Sequence, residues 1–150
     1  MRRALFPGSF DPFTIGHESI VRRALNLFDE IVIAIGVNSN KTPKSEVEHR
    51  VCAIQRLYKD EPRIKVLSYD TLTMDLVKEQ DCCCILRGVR DVKDYEYETE
   101  LARANFLIGG GDTVFLIAGS GQEGISSSLV RELKSYGKDV SGLLPEGIEP

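Results

Sequence analysis

Residues 30–37, Glu-Ile-Val-Ile-Ala-Ile-Gly-Val, form an unbroken run in which apolar and polar residues do not alternate. A strand with one wet face would alternate, so this run predicts a central strand of a parallel sheet, covered on both sides. Parallel strands need long crossovers, usually helices, and the rest of the chain supplies them. Short apolar runs end at Ala4-Leu5-Phe6, where Pro7 and Gly8 are expected to stop the strand, and recur at Ile64 to Leu67, Cys83 to Arg87 and Val114 to Ile117. Between them lie helical patterns. Ile20, Val21, Ala24, Leu25 and Phe28 share one helix face, and Ser45-Glu46-Val47-Glu48 has the form of a capping box opening a helix to about Lys59. Further helices are expected from Thr71 through Val77, from about Tyr95 to Leu107, and from Ile125-Ser126-Ser127-Ser128 to Tyr136, stopped by Gly137. Five strands alternating with five helices give an α/β fold, a Rossmann-like, doubly wound, mostly parallel five-stranded sheet. At 150 residues and 42% hydrophobic, residues 1–150 make one domain with its own core.

In such a fold the chemistry sits where strands feed helices, and Phe6 to His17 is the most distinctive such turn. Gly8 and Gly16 let backbone approach a ligand, and the first-turn N–H groups of the following helix favour an anion. Thr14 is placed as an N-cap or as a phosphate contact, and His17 can reach the same anion. The same spacing also fits a plain connection carrying a surface histidine. Three more turns leave strand ends on the same sheet edge. Lys41 lies in Asn38-Ser39-Asn40-Lys41-Thr42-Pro43; Arg87 and Arg90 flank Gly88; serines 126–128 open the last helix after the flexible Ala118 to Gly124 loop. Guanidiniums beside a glycine suit bidentate phosphate binding, although ion pairs with Asp91, Asp94 or Glu96 would equally occupy them. Serines at a helix start are usually caps, and three in succession leave hydroxyls to spare for a ligand.

Other classes are disfavoured. A net charge of −4 argues against broad nucleic-acid binding, so any anion site is a local cluster. Met1-Arg2-Arg3 is followed by too few apolar residues for a signal peptide, and no run approaches a membrane span; a cytoplasmic protein is expected. Cys52 and the run Cys82-Cys83-Cys84 have neither disulfide-framework nor metal-ligand spacing, and the run, ahead of Ile85-Leu86, reads as small apolar fill in a strand. Neither a G-x-G-x-x-G with a ribose-binding acid nor a G-x-x-x-x-G-K-[ST] is present.

Pro7-Gly8-Ser9-Phe10-Asp11-Pro12 with Thr14-Ile15-Gly16-His17, and the distant Ile125-Ser126-Ser127-Ser128, resemble the two signatures of the T/H-x-G-H nucleotidylyltransferase superfamily. Arg87-Gly88-Val89-Arg90, with Asp94 to Glu98, Leu101, Ala102 and Asn105, resembles the branch that adenylylates phosphopantetheine. The resemblance runs from about Arg3 to Pro145. It implies transfer of the adenylyl group of ATP to 4′-phosphopantetheine, giving dephospho-coenzyme A and pyrophosphate, with Mg²⁺ carried on ATP and no other metal site. The attacking phosphate is largely dianionic near neutrality, its second pKa being about 6, so no general base is needed. The work left to the protein is holding two anions in line and spreading charge at the α-phosphoryl group.

By the same resemblance His17 stabilises the transition state, with Lys41 and Arg90 as its cationic partners. Ser9 touches both substrates, and Phe10 offers its N–H. Lys41 and Arg87 hold the phosphopantetheine phosphate, with Thr73, Leu101 and Asn105 along the pantetheine arm. Gly88, Val89, Arg90, Glu98, Gln122, Glu123, Gly124, Ile125, Ser126, Ser127 and Ser128 surround ATP. The resemblance further implies a homohexamer, with coenzyme A as a feedback ligand. It also leads one to expect an aromatic residue and a Ser-Phe pair before Ile125, where this chain has Gln122-Glu123-Gly124, removing a stacking surface for adenine. A terminal helix beyond Pro145 is expected to be short or missing.

Overall fold

The structure is a computed structural model that describes residues 1–38 and 40–150; Ser39 of the expected Asn38 to Lys41 loop lies outside the described residues. Five strands, β1 (Arg3–Gly8), β2 (Glu30–Gly36), β3 (Ile64–Tyr69), β4 (Cys84–Val89) and β5 (Thr113–Ile117), form one sheet in the order β3-β2-β1-β4-β5. All pairings are parallel. The helices are α1 (Ile15–Ala24), α2 (Lys44–Leu57), α3 (Thr73–Glu79), α4 (Val92–Gly109) and α5 (Ser127–Ser135), followed by a 3₁₀ turn at Ser141–Leu143 and, among the described residues, no terminal helix.

The β2 run is central and covered on both faces because its side chains alternate between two apolar layers. Ile31, Ile33 and Ile35 join Phe6, Phe13, Ile20, Val21 and Ile54 in one. Val32 and Ala34 join Leu5, Met74, Leu76, Val77 and Ile85 in the other. The tail packs down through a third cluster, Val130, Val140 and Leu144, to which Ile148 ties the first.

Several boundaries differ from expectation. Pro7 and Gly8 do not stop β1, which pairs with β2 from Arg3 opposite Glu30 through Gly8 opposite Ile35. With β4 it pairs only at Ala4 and Leu5. Past Leu5 the two central strands part, and Pro7, with no N–H, sits where there is no ladder to lose on the β4 side. That parting opens the cleft at the point where strand order reverses. β4 runs on past the expected end at Arg87 through Gly88 and Val89, opposite Leu116 and Ile117. A Cβ on Gly88 would meet Ile20 Cγ1 at 3.2 Å, so its absence lets α1 lie close over the sheet. The Ser45 to Glu48 capping box is not made: α2 begins at Lys44 behind Pro43, placing Ser45 inside the helix, and no side chain caps it. α3 begins at Thr73, two residues late. α4 begins at Val92, three early, because Asp91 Oδ1 accepts from the Asp94 N–H at 2.8 Å.

Of the cysteines, Cys84 is buried, Cys82 half-buried, and Cys52 and Cys83 exposed, so only Cys84 is true strand fill. Burial pushes the Cys82 thiol up to about 11 and Cys84 up to about 12, keeping both protonated. Among the described residues, no helix is long and apolar enough to cross a membrane.

Candidate active site

The gap between β1 and β4 opens into a cleft of two joined lobes. One, of about 380 Å³, lies over the N-termini of α1 and α5. The other, of about 290 Å³, runs between β1, β4, α3 and α4. Pro7, Gly8, Ser9, Arg87, Tyr97 and Glu98 line both.

His17 enters the first lobe because α1 opens with a reciprocal cap. Thr14 Oγ1 accepts from the His17 N–H at 3.4 Å, and His17 Nδ1 accepts from the Thr14 N–H at 2.9 Å. An acceptor at Nδ1 leaves the proton of the neutral ring on Nε2. Phe13 stacks on the imidazole at 5.4 Å between centroids, and Phe10 meets its edge at 5.0 Å. Burial, with the Arg87 and Arg90 guanidiniums nearby, lowers the His17 pKa to about 4. The ring is therefore a neutral donor at neutral pH, and the positive charge of the site comes from its arginines.

Arg87 is held in a fork. Its Nε and Nη2 donate to the two oxygens of Glu98 at 2.8 and 2.6 Å, and its Nη1 donates to the Pro7 carbonyl. The partner is thus Glu98, rather than Asp91, Asp94 or Glu96. Glu98 itself is buried with both oxygens engaged, so it reaches the cleft through the guanidinium it orients. Arg90 does pair with Asp94, at 3.5 Å, and that carboxylate also accepts the Arg90 N–H at 3.0 Å.

The three serines are more committed than their sequence implied. Ser126 Oγ caps α5 by accepting from the Leu129 N–H at 3.1 Å. Ser127 Oγ donates to the Pro12 carbonyl at 2.7 Å, and Ser128 Oγ accepts from Arg131 Nη2 at 3.1 Å. Ser128 keeps its hydroxyl proton for another acceptor, and the opening N–H groups of α5 face the lobe as an anion seat.

The first lobe gathers Ser9, Phe10, His17, Gly88, Val89, Arg90, Glu98, Gln122, Ile125, Ser126, Ser127 and Ser128. The second gathers Thr73, Leu101 and Asn105 with Ser9 and Arg87. Lys41, Glu123 and Gly124 line neither: Lys41 is exposed in the turn after β2, its N–H bonded to the Asn38 carbonyl at 2.9 Å. Gln122 does enter the first lobe, and its Oε1 is buried there without a hydrogen-bond partner among the described residues. Sequence reasoning passed over Arg131, whose position four residues after Ser127 on one helix face was the available signal, and Tyr69, which reaches Thr73 Oγ1 at 3.1 Å in the second lobe.

The cytidylyltransferase-like family model matches residues 5–133 of the chain. A phosphopantetheine adenylyltransferase of Bacteroides fragilis is 51% identical over 149 residues, covering 99% of each chain. One of Bacteroides thetaiotaomicron is 50% identical over 149 residues with the same coverage. One of Flavobacterium johnsoniae is 45% identical over 148 residues, 99% of this chain and 97% of the relative. Among solved structures, the lipopolysaccharide core biosynthesis protein from Thermoplasma volcanium GSS1 is similar in fold, with a TM-score of 0.56 and 22% identity over 79% of this chain and 97% of that one.

Proposed function

The chain belongs to the cytidylyltransferase-like family, among its phosphopantetheine adenylyltransferases, and from that premise we propose how its cleft moves an adenylyl group from ATP to 4′-phosphopantetheine, releasing pyrophosphate and dephospho-coenzyme A. The observation that supports the reading is the branched cleft: a lobe lined by Arg90, Arg131, His17 and the start of α5, which suits a nucleoside triphosphate, and a second lobe, which suits a long arm, both border Ser9 and Arg87.

The nucleotide phosphates rest against the Ser9 and Phe10 amides, the first turn of α5 and Arg90. The acceptor phosphate lies at Arg87, with its arm running past Thr73, Leu101 and Asn105. Lys41 closes on that phosphate from the β2 turn. The acceptor phosphate attacks in line, without a covalent enzyme intermediate, and His17 Nε2–H donates to the α-phosphoryl oxygen as charge builds there. A neutral donor suits this task, since it needs no proton exchange during the step.

Mg²⁺ fits as a passenger on ATP, where it neutralises phosphate charge. The first lobe's two carboxylates are engaged, Glu98 by Arg87 and Asp94 by Arg90, and no group of three or more candidate ligands occurs among the described residues. The protein acts in the cytoplasm on small molecules, without nucleic acid or membrane as partner, and coenzyme A, which shares the product's arm, acts as a feedback ligand. It assembles as a homohexamer. Supporting this, α4 buries only Glu98 fully and leaves Phe106, Leu107 and Ile108 exposed toward its C-terminal end, and Ile117 is exposed at the end of edge strand β5.

Incubating the protein with ATP, Mg²⁺ and 4′-phosphopantetheine should release pyrophosphate in step with dephospho-coenzyme A. Binding of ATP with no pyrophosphate release would overturn the reading in favour of a nucleotide-binding module.

A further inference from the structure

Four carbonyls, one at the end of β1 and three in the loop from β1 to α1, are each held by a side chain from elsewhere. Pro7 O accepts from Arg87 Nη1, Ser9 O from Arg50 Nη1 at 2.9 Å, Asp11 O from Arg131 Nη1 at 2.6 Å, and Pro12 O from Ser127 Oγ at 2.7 Å. Arg87, Arg131 and Ser127 line the nucleotide lobe; Arg50, from α2, lines neither lobe. It lies on the far side of the loop in a small recess of about 150 Å³ beside Asp11, Phe13 and His49, its side chain only 15% exposed, with Nη2 at 3.4 Å from Asp11 Oδ1.

In a planar trans peptide the C=O and the following N–H point in opposite directions. A Ser9 carbonyl drawn back toward α2 therefore turns the Phe10 N–H toward the cleft, and that N–H has no protein acceptor among the described residues. Phe10 also has φ 46°, a left-handed conformation that a residue bearing a Cβ adopts at a cost. Packing of its ring against Phe6, Phe13 and His17 holds one side of this strained turn, and Arg50 holds the other. A cation on the carbonyl also polarises the peptide, strengthening its N–H as a donor.

We propose that Arg50 is a positioning residue of the transfer reaction: gripping the Ser9 carbonyl and the Asp11 carboxylate from behind, it aims the Phe10 N–H at the phosphates. This rests on the adenylyl-transfer reading above. Arg50 touches neither substrate, so its loss acts on catalysis through the loop.

The test compares Arg50→Ala, Arg50→Lys and Asp11→Asn with the unaltered protein. Rates are taken per folded molecule, and the Phe10 amide proton is followed by NMR as ATP is added. Arg50→Ala should lower kcat about 10- to 100-fold, less than the loss from removing a donor outright, with KM for ATP changed less than about threefold. Its Phe10 amide should lose most of the downfield shift that ATP induces in the unaltered protein. Arg50→Lys keeps the charge but not the fork, and should recover only part of the rate; it carries the test if Arg50→Ala does not fold. Asp11→Asn keeps the Ser9 bond and should lose less than Arg50→Ala. Arg50 variants with unchanged kcat per folded molecule and an unchanged Phe10 shift would overturn the inference while leaving the proposed reaction standing. An inactive unaltered protein would overturn the proposed reaction instead.

Discussion

His17 shows how one side chain's surroundings select its chemistry. With Nδ1 accepting the Thr14 N–H and the ring's pKa lowered to about 4, imidazole near neutrality is a fixed donor. Its NMR signals should accordingly stay flat from pH 8 to pH 5.5, and the acid limb of activity should follow the acceptor phosphate near about pH 6. A ring titrating near 6.5 would refute this account. The same shift bears on folding. The unfolded chain takes up a proton near 6.5 and the folded chain only near 4, so the full contribution of neutral His17 is present above pH 6.5 and is lost as pH falls toward 4. Denaturant titrations should show that acid slope, on the order of 3 kcal/mol in all, and His17→Gln should lack it. His17→Ala should reduce kcat by about 10²-fold or more while weakening ATP binding only modestly. Glu98→Gln leaves a largely buried guanidinium without its countercharge and should cost on the order of 3 kcal/mol of stability, measured by chemical denaturation.

At the scale of elements, caps separate folding from chemistry. Asp91 caps α4 and lines neither lobe, whereas Ser126 caps α5 from inside the nucleotide lobe. Each replaced by alanine should cost about 1 kcal/mol. Only Ser126→Ala should also raise KM for ATP, and equal kinetic effects from both would argue against α5 as a phosphate seat. The elements themselves were legible because their signals are local: the β-branched run at 30–37 needs no partner to announce a doubly covered strand. Boundaries were less so. Pro7 and Gly8 look like a stop until β4 has diverged from β1, and Ser45 to Glu48 looks like a cap until Pro43 has already opened the helix two residues earlier. The partner of Arg87 was likewise hidden, since residue 98 reaches it only once α4 folds back beside β4.

For the whole molecule, the sequence pointed to several turns on one sheet edge but not to how space divides among them. The resemblance carried the separation into nucleotide and arm residues; the fold sets most of them around two lobes, with Ser9, Arg87 and Glu98 on both and Lys41, Glu123 and Gly124 on neither. Arg50 gave no local signal because it reaches the loop from α2, a relation created wholly by tertiary packing. The apolar outer face of α4 gives a further expectation: Leu107→Glu should reduce the mass found by light scattering, and an unchanged mass would remove this face from the assembly surface. Because six residues border both lobes, the two lie directly against one another. A molecule that joins a nucleoside to a long thiol-bearing chain is expected to occupy both at once, each half then raising the local concentration of the other. Dephospho-coenzyme A is such a molecule, and it should compete against either starting material, an outcome that product-inhibition kinetics checks.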